Sequence, residues 1–155
     1  MIAEILGRFR IALFLIIITP VTIFLIPVQW VMVKFRLGAR LFLPLIYHRF
    51  VVQILGLKIR LHGTPLRSGP RLFLSNHISW LDIVALSTAL PVSFVARADV
   101  ASWPVFGLFA KLQQTVFVDR TRKMATKSAV DRVAERFRRG DAILLFAEGT
   151  TSDGQ

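Results

Sequence analysis

Four residues separate His77 from Asp82, just after an apolar run, Leu72, Phe73 and Leu74, that stops at Ser75 and Asn76. A carboxylate on one nitrogen of an imidazole fixes the tautomer and leaves the other nitrogen free to take a proton. That is the chemistry of a general base. An apolar-periodic segment, Trp80, Leu81, Ile83, Val84 and Leu86, begins immediately afterwards. The pattern predicts a buried strand, a tight polar loop and a helix start. In open parallel sheets, ligands sit just past the carboxyl ends of strands, where His77 falls. If the pair works together, an Asp82 oxygen should lie about 2.6–3.2 Å from a ring nitrogen.

The same residues support a second reading. Ser79 and Asp82 have nearly the form of a capping box, and Ile78 and Ile83 occupy the positions of a hydrophobic staple. Asp82 would then cap a helix, and His77 would be a polar loop residue.

The surrounding chain predicts what positions the pair. Residues 58–62 alternate as a short strand, and residues 56–69 carry the turn signals of a boundary. Strands are expected over 71–75, 92–96, 115–118 and 142–146. They are separated by helical segments over about 80–89, 102–112 and 123–139. On the last helix Val130, Val133, Ala134 and Phe137 define an apolar face, with Lys127, Arg132, Arg136 and Arg139 opposite and Gly140 as the cap. The fold class that follows is α/β, a largely parallel sheet with flanking helices. Two later strands also end in polar residues: Val118 precedes Asp119 and Arg120, and Phe146 leads to Glu148, Gly149 and Thr150. Strand ends at one edge would gather His77, Asp82, Arg120 and Glu148 in one cleft.

Composition narrows the setting. Hydrophobic residues make up 54%, mean hydropathy is +0.60 and the net charge is +11. That is too apolar for an ordinary soluble domain, and basic with apolar fits an anionic membrane surface. Scattered arginines without interleaved aromatics argue against nucleic acid. Cysteine is absent, which excludes disulfides, thiolate zinc sites and a cysteine nucleophile; the three histidines lack metal-ligand spacing. Residues 11–33 are 23 positions without a charge, enough to cross about 30 Å of hydrocarbon. Pro20 and Pro27 should kink or break a helix there. With the apolar stretch 41–57, two arrangements fit: a bent span followed by an interfacial helix, or a hairpin dipping into one leaflet, which the prolines favour. The expected organisation is a membrane-anchoring helical segment, 1–57, and an α/β domain, 58–155.

From residue 56 to 152 the chain resembles the lysophospholipid acyltransferases, typified by 1-acylglycerol-3-phosphate acyltransferase. Asn76-His77-Ile78-Ser79-Trp80-Leu81-Asp82 matches that family's His-x4-Asp motif. Val116-Phe117-Val118-Asp119-Arg120 matches its second block. Phe146-Ala147-Glu148-Gly149-Thr150-Thr151-Ser152 is similar to its third. Arg97, Ala98 and Asp99, with Trp103 to Gly107 following, look like its Lys-x-Glu and Pro-x-x-Gly segment. The order and spacing of the whole set carry the resemblance. Thr151 stands where the family has arginine, Ala147 where it has proline, and Gln114-Thr115 replace a glycine. Losing that arginine removes a phosphate clamp. A Glu-Gly-Thr-Thr-Ser pattern resembles the lyso-ornithine lipid acyltransferase branch. The family's fourth, proline-containing block is not reached, so the expectation is an N-terminal fragment with an incomplete sheet.

The resemblance implies a membrane O-acyltransferase of lipid biosynthesis, working at the cytoplasmic face of a bacterial inner membrane. His77 would be the base and Asp82 its orienting partner; Arg120, Glu148, Gly149 and Thr150 would bind the acceptor, with no metal and no cofactor. The donor would be acyl-CoA or an acyl carrier protein, and the acceptor 1-acylglycerol-3-phosphate or lyso-ornithine lipid. The competing class is a non-catalytic basic protein that binds membrane or lipid.

Overall fold

The computed structural model describes residues 2–66, 69–119 and 123–147. Helix α1 (Ile2–Lys34) is followed by a short 3-10 turn, Gly38–Leu41, and helix α2 (Phe42–Leu55). Strand β1 (Arg71–Ser75), helix α3 (Trp80–Ala89) and strand β2 (Val92–Arg97) come next. A 3-10 turn, Ala98–Ser102, leads to helix α4 (Phe106–Leu112), strand β3 (Val116–Val118), helix α5 (Lys123–Arg138) and strand β4 (Ala142–Phe146).

Among the described residues the sheet has four strands in the order β1-β4-β2-β3, all parallel. β4 is slotted between β1 and β2, with Ser75 opposite Phe146 and Val95 opposite Leu145. All carboxyl ends therefore share one edge. Strand alternation sends Ala142, Leu144 and Phe146 to one face, where they pack with Phe94, Phe73, Ile83 and Leu86 under α3. Ile143 and Ser93 take the other face, beneath α5. Ile143 is fully buried, and burying such a side chain is worth about 1.5–3 kcal/mol.

Helices α1 and α2 join the α/β layer through α3. Ile18, Val51, Val52 and Val84 form a second buried cluster, and the Thr22 and Tyr47 hydroxyls share a hydrogen bond of 2.7 Å. About half of α1 from Ile11 to Lys34 is exposed; Ile16 and Phe24 each reach 70%. A stretch of 24 residues, Ile11–Lys34, is long and apolar enough to cross a membrane. Its exposure disfavours a buried soluble helix.

Several expectations change. α1 runs unbroken through Pro20 and Pro27. The carbonyls these prolines leave without a donor belong to Ile16 and Ile23, both on the exposed side. Residues 58–62 form no strand; they are exposed and find no ladder partner, without which alternation alone stabilises nothing. The helical segment expected over 102–112 is two pieces, because Pro104 and a left-handed Val105 separate the 3-10 turn from α4. On α5, Ala129 is buried and Val130 is 60% exposed, while Arg136 turns inward to Asp141 and Ser93. Asp141 and Ser93 supply the polar partners that let a guanidinium occupy an inner position. Gly140 (φ 78°) closes the helix in the left-handed conformation, as its position predicts.

Candidate active site

The site begins where β1 and β4 end side by side. The Ala147 N–H donates to the Ser75 carbonyl at 3.1 Å, so the two chains stay tied past their last paired residues. This brings the Phe146 ring under His77, stacked at 4.0 Å between centroids and 21° between planes. Phe94 lies beyond Phe146, at 5.8 Å. The imidazole thus rests one face on an apolar stack that belongs to the core.

His77 Nδ1 lies 3.1 Å from Asp82 Oδ2. An ionised carboxylate only accepts, so Nδ1 carries the proton, and in the neutral ring the lone pair is on Nε2. The same Oδ2 accepts the N–H groups of Ile78 (2.7 Å) and Ser79 (2.9 Å). Ser79 Oγ in turn accepts from the Leu81 N–H at 3.1 Å, and the capping box is complete. The two readings of Asp82 are therefore one arrangement: the cap fixes the carboxylate, and the fixed carboxylate holds the ring. Ile78, the expected outer half of a staple, is exposed.

Burial acts to raise the Asp82 pKa, but the Ser79 and Ile78 N–H groups and the His77 ring outweigh it, holding the carboxyl below the usual aspartate range. A depressed folded pKa contributes stability above the unfolded value, near 3.9, and that contribution is lost as pH falls through the folded value. Wild type should exceed Asp82→Asn by about 0.5–2 kcal/mol at neutral pH. The gap should close in acid below about pH 4. Denaturation of both proteins across pH checks this; a gap unchanged down to pH 2 would rule the carboxylate cap out.

An apolar cavity of about 620 Å³ opens beside the stack. Its walls include Phe14 and Ile26 of α1, Tyr47 of α2, Trp80 of α3, and Trp103 and Phe146. Its size falls within the range of small-ligand pockets, and its lining is almost wholly hydrocarbon. A second cavity, about 740 Å³, runs along β3 and α5 past Phe117, Arg132 and Glu135. Neither cavity is walled by His77 or Asp82; the first reaches the pair through Phe146 and Trp80.

Of the residues expected at the site, the structure brings His77 and Asp82 together. Arg120, Glu148, Gly149 and Thr150 lie outside the described residues. Arg97 and Asp99 pair through two contacts, 3.1 and 3.2 Å. The basic face of α5 is partly spent within the fold: Arg139 binds Glu135, and Arg132 donates to Ser128 and to the Phe117 carbonyl. Phe146 is not among the expected site residues; its signal in the sequence is its place at a strand end, directly before the third motif.

The profile of the acyltransferase family matches residues 58–155. The chain belongs to that family. It is 45% identical over 149 residues to the lyso-ornithine lipid O-acyltransferase of Brucella abortus, covering 96% of this chain and 56% of that protein. The enzyme of the same name from Rhizobium meliloti is 44% identical, covering 94% and 50%. The 1-acyl-sn-glycerol-3-phosphate acyltransferase of Neisseria gonorrhoeae is 37% identical over 94 residues, or 59% of this chain and 37% of that protein. The chain thus spans about half the length of the two lyso-ornithine lipid relatives. In fold it is similar to the crystal structure of the 1-acyl-sn-glycerophosphate acyltransferase of Thermotoga maritima. The TM-score is 0.64 at 19% identity, covering 95% of this chain and 64% of that one.

Proposed function

We propose that this chain is the catalytic portion of an O-acyltransferase that moves a fatty acyl group from a thioester to the hydroxyl of a lysolipid. The observation that carries the reading is His77, bonded through Nδ1 to the helix-capping Asp82 and stacked on Phe146, which itself walls an apolar cavity. Nε2 takes the proton of the acceptor hydroxyl as its oxygen attacks the thioester carbonyl. The tetrahedral intermediate then collapses, the C–S bond breaks, and the imidazolium returns its proton to the departing thiolate. The thioester is already activated and the chain has no cysteine, so no acyl-enzyme is needed. The cavity would take an acyl chain.

Family resemblance assigns Arg120, Glu148, Gly149 and Thr150 to the acceptor headgroup. Lyso-ornithine lipid is the acceptor we favour over 1-acylglycerol-3-phosphate. The higher identities run to relatives of that name over nearly the whole chain, and Thr151 replaces the arginine of a phosphate clamp. Acyl-CoA or an acyl carrier protein would be the donor. Helices α1 and α2 would hold the domain at the cytoplasmic face of a bacterial inner membrane. A lipid-binding protein without chemistry would keep Asp82 as a helix cap but would have no need of His77.

The test is acyl transfer by the complete gene product, with each donor and each acceptor. We expect kcat/KM for lyso-ornithine lipid to exceed that for lysophosphatidate at least tenfold. Preference for lysophosphatidate would overturn the acceptor assignment, and no transfer to either would overturn the enzyme reading.

A further inference from the structure

Positions 100 to 110 carry no charge, yet most of this stretch lies at the surface. Trp103, Val105 and Phe106 are 52%, 62% and 61% exposed, and Leu108 is exposed beside them. The backbone holds them out. Val105 sits at φ 61° and ψ −59°, where a β-branched residue is an outlier. The Phe106 N–H donates back to the Pro104 carbonyl at 2.6 Å, closing a strained three-residue turn. Directly after it Gly107 is buried so tightly that a Cβ there would stand 2.6 Å from the Ala101 carbonyl oxygen. Strain of this kind persists only where the surroundings over-determine it. Here it leaves more than half of each of three large apolar residues outside the fold.

The neighbours say what would cover them. Trp103 and Phe106 line the same cavity as Leu25 and Ile26 of α1, and Gln29 of α1 donates to the Leu112 carbonyl at the end of α4, at 2.8 Å. Helix α1, long and apolar enough to cross a bilayer, therefore shares a cavity and a hydrogen bond with this segment. Lys111 is exposed one turn further on, and the chain carries a net charge of +11. Tryptophan and phenylalanine backed by a lysine suit the boundary between acyl chains and anionic headgroups. We propose that residues 103–108 are a second membrane-contact element: Trp103, Val105 and Phe106 insert into a phospholipid bilayer at the mouth of the cavity. The α/β domain is then seated on lipid by its own loop as well as by α1. This proposal does not depend on acyl transfer.

The absence of cysteine makes a direct test available. Val105→Cys and, as a reference on the exposed side of α5, Asp131→Cys are each labelled with an environment-sensitive fluorophore. Each is reconstituted as the full chain into vesicles of phosphatidylethanolamine and phosphatidylglycerol. We expect the label at position 105 to be quenched several-fold by lipids brominated near the top of the acyl chain and shielded from aqueous iodide. The label at position 131 should behave the opposite way. Co-flotation with vesicles and far-UV circular dichroism establish that both proteins are bound and folded. A bound, folded protein whose 105 label is open to iodide and untouched by bromolipid overturns the proposal. So does shielding that appears without lipid and grows with protein concentration, since a second copy would then be the cover. If the 105 label perturbs the turn, Trp103 fluorescence in Trp30→Phe/Trp80→Phe gives the same two readings.

Discussion

His77→Ala in the complete protein is expected to lower acyl transfer by about 10²–10⁴-fold, the range set by loss of a general base. The fold should survive. The ring is held by Asp82 and by its stack on Phe146, and an aromatic pair of this kind contributes roughly 0.5–1.5 kcal/mol. Asp82→Asn should reduce kcat by a similar order, because an amide can donate to Nδ1 and invert the tautomer. The double variant should lose little beyond His77→Ala, since two residues acting as one unit do not add. Thermal denaturation alongside kinetics separates chemistry from the capping cost of Asp82. Near-wild-type turnover by a folded His77→Ala protein would defeat the mechanism whatever the motifs resemble.

The part of this site that was legible in the sequence is the part governed by local spacing. Four residues between His77 and Asp82, across a strand end and a helix start, leave few ways for the side chains to lie, and one oxygen meets both the ring and the cap. The strands over 71–75 and 142–146 were equally plain, because short apolar runs bounded by polar residues leave little room for error. Strand order was not legible. Nothing local says that β4 enters between β1 and β2, and only that insertion brings Phe146 beneath His77. On α5 the period places Val133, Ala134 and Phe137 inward and Arg132 and Arg139 outward, and it fails at Val130 and Arg136. The buried acceptors that draw Arg136 inward, Asp141 and Ser93, lie outside the helix. Residues 58–62 show the converse: the pattern of a strand is present and, among the described residues, its neighbour is not.

Those acceptors lead to the second large effect, an expected loss of about 3 kcal/mol in Asp141→Asn. Asp141 is 5% exposed at the amino end of β4. Its Oδ2 accepts from Arg136 Nε at 2.6 Å and its Oδ1 from Arg40 Nη2 at 3.3 Å. Burial pushes the Arg136 pKa down and Asp141 pulls it back up, so the carboxylate offsets the cost of burying a charged guanidinium. Removing the charge would leave two guanidinium groups near each other with no anion between them. Breaking a buried pair from one side costs about 3–5 kcal/mol; both arginines keep some solvent contact, which places this one at the lower end. Arg40 also accepts from Gln29 through its carbonyl, so the network ties the α1–α2 connection to the foot of the sheet. Arg40→Ala should be milder than Asp141→Asn, because Arg136 retains its closer partner. Urea denaturation of the three proteins in one detergent provides the measurement. If Asp141→Asn shifts stability by less than about 1 kcal/mol, the value typical of an exposed ion pair, the network does not join the two parts of the fold.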